Sequence, residues 1–92
     1  MNPETISKRF VIKNVLGMHA RAAAAFVKTA NRYLSEISVT KDKIRVNGKS
    51  IMGVLMLAAA KGTTIEIHAQ GDDAPEAIKA LGDLIDQKFG EE

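Results

Sequence analysis

The chain has no cysteine and no tryptophan, and its 92 residues include only one tyrosine, three phenylalanines and two prolines. Without cysteine there is no disulfide, no thiol nucleophile and no thiolate metal site. A reducing, cytoplasmic setting fits that absence. No apolar run reaches the roughly 18 residues of a membrane-spanning helix, so no membrane association is expected. Met1 to Ile6 lacks the basic-then-apolar pattern of a secretory signal, so export is not expected either. Scarce aromatics leave little to stack on bases. Phe10, Phe26 and Phe89 all fall at positions expected to be buried, which argues against a nucleic-acid module.

What is present belongs to an ordinary globular domain. The hydrophobic fraction is 46% and the charged fraction 26%, enough for one core and two layers in a single domain spanning residues 1–92. The net charge of +2 hides an uneven distribution. Residues through Lys61 carry 11 basic and 3 acidic side chains, giving +8; the remainder carries 2 and 8, giving −6. A basic face meeting an anion or an acidic partner would produce that asymmetry, and so would an acidic last helix.

Residues 7–13 alternate as a strand, with Phe10 and Ile12 on one face. A helix is expected over about Ala20–Arg32, with Ala23, Phe26, Val27, Ala30 and Leu34 as its apolar stripe. Arg21, Lys28 and Arg32 form a basic stripe on another face. Residues 36–40 and 43–46 alternate again and form a hairpin turning at Lys41-Asp42. Ser50 caps a short helix over Ile51–Ala58, closed by Lys61-Gly62. Its core stripe is Ile51, Val54, Leu55 and Ala58; Met52 and Met56 fall elsewhere and should be exposed. Thr63 to Gln70 is a strand with Ile65, Ile67 and Ala69 inward. Asp73-Ala74-Pro75-Glu76 starts a last helix, with Asp73 as its cap. Ala77, Ile78, Leu81, Ile85 and Phe89 are its core side, Gly90 ends it, and Glu91-Glu92 should fray. The order is βαββαβα. No strand is a continuous buried run, so the class is α+β, with a four-stranded antiparallel sheet covered by three helices on one face.

The chemistry concentrates at residues 17–22, Gly-Met-His-Ala-Arg-Ala. A glycine-ended loop delivers His19 to a helix start, where unpaired N–H groups and the helix dipole favour an anion. A neutral imidazole nitrogen is a nucleophile near physiological pH. After attack on phosphorus, the phosphoryl oxygens could accept from the backbone of Ala20, Arg21 and Ala22, and Arg21 could add a charged contact. Which ring nitrogen reacts is not readable from these residues. His68 sits mid-strand on the outward face and reads as structural. Gly48-Lys49-Ser50 resembles the end of a phosphate-binding loop, but Lys43 stands where that loop needs glycine. Two histidines on distant elements do not make a metal site, and no cofactor is expected.

Two motifs carry a family resemblance. Gly17-Met18-His19-Ala20-Arg21 is similar to the phosphorylation-site motif of the HPr family, the phosphocarriers of the phosphoenolpyruvate-dependent phosphotransferase system and of its nitrogen-related branch. Lys49-Ser50-Ile51-Met52-Gly53-Val54 resembles that family's regulatory-serine segment. The resemblance covers nearly the whole chain. It implies an open-faced β-sandwich in which His19 takes a phosphoryl group on Nδ1 from enzyme I and passes it to a IIA-type domain. Arg21 would support the transfer, and Met52 and Leu55 would belong to the docking surface. Ser50 would be a target of an HPr-type kinase, or simply a helix cap. The carrier is expected to be a monomer and not a stand-alone enzyme. Ala22 departs from the proline usual after the arginine. The exchange is mild, because a first-turn residue has no intrahelical N–H bond to lose. The competing reading is a regulatory binding module controlled by phosphorylation at Ser50.

Overall fold

The computed structural model describes residues 5–91, so Glu92, expected to fray, lies outside them. The strands are β1 (Thr5–Val11), β2 (Glu36–Lys41), β3 (Ile44–Asn47) and β4 (Thr64–Gln70); the helices are α1 (Ala20–Ala30), α2 (Ile51–Met56) and α3 (Ala74–Asp86). A short left-handed turn, Lys88–Gly90, follows α3. The four strands form one antiparallel sheet in the order β1-β4-β2-β3. Register places Phe10 opposite Ile65, Ile37 opposite Ala69, and Val39 between Ile67 and Val46. Ile65, Ile67, Ala69, Ile37 and Val39 are buried beneath the helices, which share one core with them. The opposite face is wet, as the alternation requires. Phe26 of α1 is fully buried in that core, between helices and sheet, and burying a side chain of that size contributes about 1.5–3 kcal/mol.

The elements end earlier than the apolar periodicity suggests. Helix α1 stops at Ala30, so Leu34 is not on its stripe; it is 95% exposed on the following turn. The hairpin turns on Asp42-Lys43, with Lys41 opposite Ile44, one residue later than expected. Asp73 precedes α3 but makes no side-chain capping bond. Its carboxylate instead accepts from the Ser35 hydroxyl and from the backbone N–H groups of Leu34 (2.8 Å) and Ser35 (2.9 Å). Those donors, the Ser35 hydroxyl foremost, hold the Asp73 carboxyl below its ordinary value. The acid thus ties the turn after α1 to the start of α3.

Helix α2 differs most. It ends at Met56, and only Val54 within it is fully buried, with Leu57 and Ala59 continuing the buried side. Ile51 and Ala58, expected in the core, are exposed, and Leu55 is half-buried. Gly62 does not close this helix. The left-handed residue past its end is Ala58, at φ 49°. Lys41 Nζ donates to the carbonyls of Leu57 (3.1 Å) and Ala58 (3.3 Å), satisfying the helix end. Alanine pays a Cβ penalty in the left-handed region that glycine does not. Ala58→Gly should therefore raise stability by about 0.5–1 kcal/mol after the entropy added to the unfolded chain. Urea unfolding checks this; an unchanged or lower midpoint would show that the backbone there carries no strain.

Candidate phosphoryl-accepting site

Chain geometry before α1 is set by Gly17 and Met18. Gly17 has φ 67°, and a Cβ on it would lie 2.6 Å from the Ala59 carbonyl oxygen and 2.9 Å from Ala60 Cα. The loop thus lies flat on the segment after α2, and Met18 N–H donates to the Ala59 carbonyl at 2.8 Å. Met18 is buried as the anchor. The next residue, His19, is extended (φ −76°, ψ −179°) and occupies the N-cap of α1, with Ala23 N–H donating to its carbonyl at 2.8 Å.

The imidazole performs the capping itself. Arg21 N–H donates to His19 Nδ1 at 3.2 Å. A ring nitrogen that accepts is unprotonated, so the neutral ring carries its proton on Nε2. The imidazole is about one-third exposed. The backbone N–H groups of Ala20 and Ala22 have no partner among the described residues. An accepting nitrogen of a part-exposed ring therefore sits in the cluster of donors at a helix start. The Arg21 side chain is exposed and makes no ion pair among the described residues, so its guanidinium is available to an incoming anion.

Beneath the loop lies Asn14, fully buried, whose Nδ2 donates to the Gly17 carbonyl (2.7 Å) and to Glu91 Oε2 (3.0 Å). Two acceptors on one side fix the amide's orientation, and its Oδ1 is left without a partner among the described residues. Glu91 is not frayed. Its Oε1 accepts from Leu16 N–H at 3.2 Å, and Oε2 lies 3.5 Å from His19 Nε2. The Asn14 amide, with help from the Leu16 and Val15 N–H groups and His19, holds the Glu91 carboxyl below the usual carboxylate range against the opposing effect of desolvation. Phe89, expected on the core side of α3, lies beyond its end in the closing turn and packs against the core from there. Asn14 and Glu91 escape a sequence reading because nothing local couples residues so far apart in the chain.

Of the other expected site residues, Ser50 caps α2, its Oγ accepting from Gly53 N–H at 3.1 Å. Met52 and Met56 are 71% and 70% exposed, and with Val15, Leu16 and Ile51 they supply most of the exposed large apolar side chains. His68 faces the open side of the sheet, near Thr40 Oγ1 (3.2 Å) and Glu66 Oε1 (3.5 Å), on a different element from His19. Among the described residues no group of three acidic or histidine side chains is placed to hold a metal. Among the described residues no helix is long and apolar enough to cross a membrane.

Residues 6–87 match the family described as "PTS HPr component phosphorylation site". The chain belongs to the HPr family. The phosphocarrier protein HPr of Neisseria meningitidis serogroup B is 59% identical over 80 residues, covering 87% of this chain and 90% of that protein. The HPr of Pseudomonas aeruginosa is 49% identical over 81 residues, covering 87% and 90%. Among solved structures, HPr from Thermoanaerobacter tengcongensis superposes with a TM-score of 0.91 at 52% identity, covering 95% of this chain and 98% of that one. A structure titled as an HPr dimer from the same organism matches at TM-score 0.76 and 54% identity, covering 89% and 94%. The chain is thus an HPr phosphocarrier of the phosphotransferase system, built as the four-stranded, three-helix sandwich of its relatives.

Proposed function

We propose that His19 accepts a phosphoryl group on Nδ1 from enzyme I and passes it to a IIA-type domain, the 92 residues acting as one carrier domain. The observation that carries this reading is that His19 Nδ1 accepts from Arg21 N–H among the first-turn donors of α1. The Nδ1 lone pair forms the P–N bond as the bond from phosphorus to the donor breaks, and the donor keeps that electron pair. Arg21 N–H, which now donates to Nδ1, turns to a phosphoryl oxygen, joined by Ala22 N–H and the Arg21 guanidinium. The three contacts hold the group without enclosing it, as a carrier requires. Met52 and Leu55 belong to the surface on which partners dock. Ser50 enters this reading as the cap of α2.

The test is incubation with enzyme I and labelled phosphoenolpyruvate. Wild type should gain one acid-labile phosphate, assigned to Nδ1 by ³¹P and ¹⁵N NMR. His19→Ala should gain none, and His68→Ala should behave as wild type. Label retained in the His19 variant would place the acceptor elsewhere.

A further inference from the structure

The last described residues do something that the family match, ending at residue 87, does not cover. After α3 the chain reverses through three successive left-handed residues, Lys88 (φ 57°), Phe89 (φ 56°) and Gly90 (φ 76°). Two of these are not glycine, and such conformations persist only where the surroundings enforce them. Phe89 packs against the core, and the Lys88–Gly90 turn touches α1. The reversal delivers Glu91 to the loop that carries His19. There the carboxylate is seated by the buried Asn14 amide and by Leu16 N–H, with Oε2 also 3.5 Å from His19 Nε2. The imidazole therefore lies between a backbone donor on Nδ1 and a carboxylate beside Nε2.

We propose that Glu91 is a positioning residue for phosphoryl transfer: its carboxylate holds the ring proton on Nε2, which leaves Nδ1 as the nitrogen that takes phosphorus, and it balances the charge of the phosphorylated ring. The proposal rests on the reading of His19 as acceptor. Its chemistry is closed. Nδ1 gives its lone pair to phosphorus, Nε2 keeps its proton, and the ring becomes an imidazolium with one positive charge. Glu91 is the anion beside that charge. On the onward step the acceptor attacks phosphorus, the P–N electron pair returns to Nδ1, and neutral imidazole leaves. Were Nε2 to lose its proton, the leaving group would be an imidazolide anion, which leaves far less readily. A carboxylate that keeps the proton in place thus serves both the choice of nitrogen and the release of the group. It acts through the ring and need not touch the phosphoryl oxygens.

The experiment compares the full-length wild type with Glu91→Ala and Glu91→Gln. The ¹⁵N spectrum of the neutral His19 ring reads its tautomer without any phosphate present. Wild type should show the proton on Nε2; Glu91→Ala should show a mixture of the two tautomers. Phosphoryl transfer from enzyme I and onward to a IIA domain should slow in Glu91→Ala by a factor of about three to ten, the size of one partly buried charge-assisted contact. Glu91→Gln, which keeps a neutral acceptor, should fall between. Purely structural loosening of the tail would lower thermal stability without moving the tautomer. A tautomer unchanged in Glu91→Ala, or transfer at the wild-type rate, overturns the proposal. Absence of phosphate on His19 in wild type would instead overturn the acceptor reading on which it rests.

Discussion

Gly17→Ala should cost about 2–4 kcal/mol of stability and displace the His19 loop. The first contribution is conformational. A residue with a Cβ at φ 67° loses about 1–2 kcal/mol relative to its relaxed backbone. The second is steric and larger. The new Cβ would sit 2.6 Å from the Ala59 carbonyl oxygen and 2.9 Å from Ala60 Cα, both backbone atoms that cannot rotate away. Relief requires the loop to lift, and lifting breaks the bond from Met18 N–H to the Ala59 carbonyl, worth about 1 kcal/mol. Gly62→Ala separates the two contributions, because Gly62 also has positive φ (88°) but nothing lies within 4 Å of a Cβ there. It should lose only the conformational part. For a domain of this size, the Gly17 variant should unfold about 10–25 °C below wild type and the Gly62 variant about 5–10 °C below. Equal shifts in the two would mean that contact with the Ala59–Ala60 segment is not what fixes the loop. The Gly17 variant should also take up phosphate slowly. The Gly17 carbonyl accepts both His19 N–H and the Asn14 amide, so the imidazole moves with it.

The His19 site shows which parts of this fold a sequence discloses. His19 is readable because local chain order makes it a helix cap, and a histidine is a poor choice for that position unless its ring has other work. The sheet is readable because Ile65, Ile67 and Ala69 alternate with Glu66, His68 and Gln70, and alternation is a property of neighbours along the chain. Helix α2 is not readable in the same way. Its residues are apolar on every side, so periodicity cannot choose between Ile51 and Leu57 as the buried one; docking against α1 and the sheet makes that choice. Leu34 misleads for a related reason. It falls in helical phase with Phe26 and Ala30, but the helix has already ended, and phase without a helix places nothing. Asp73 has the sequence of a cap and instead binds the turn at Ser35, because three donors there outcompete one free N–H of its own helix. The contact of Glu91 with the His19 loop spans nearly the whole chain and depends on a left-handed reversal that Gly90 alone does not announce.

Asn14→Asp should be the most damaging near-isosteric change in the loop. In the wild type, Nδ2 is the sole side-chain donor between two acceptors, the Gly17 carbonyl at 2.7 Å and Glu91 Oε2 at 3.0 Å. Replacing that NH₂ by oxygen turns both bonds into contacts between acceptors in a buried position. Unit charges about 3 Å apart repel by several kcal/mol even at an effective dielectric constant of about 20. The folded chain will not hold both carboxylates ionised in that arrangement. Either Glu91 swings out, abandoning Leu16 and His19, or one carboxyl binds a proton. The net loss at pH 8 should be about 2–4 kcal/mol. The sign of its pH dependence follows. In the variant, the carboxyl pair binds a proton more tightly folded than unfolded, so protonation favours the native state. The loss is then full at pH 8, shrinks as pH falls through the raised folded value, and is least near the unfolded aspartate value of about 3.9. Wild-type Glu91 behaves oppositely. Its carboxyl is held low, so its contribution is present above the ordinary 4.5 and disappears as acid protonates it. The gap between the two proteins should therefore close from both sides on acidification. Urea unfolding at pH 8 and pH 5 reads the variant's share of that closure, because the wild-type share is still whole at pH 5 and is lost only in stronger acid. A gap that is the same at both pH values would show that the two carboxylates never share the pocket, and that Glu91 leaves the His19 loop as soon as Asn14 is changed.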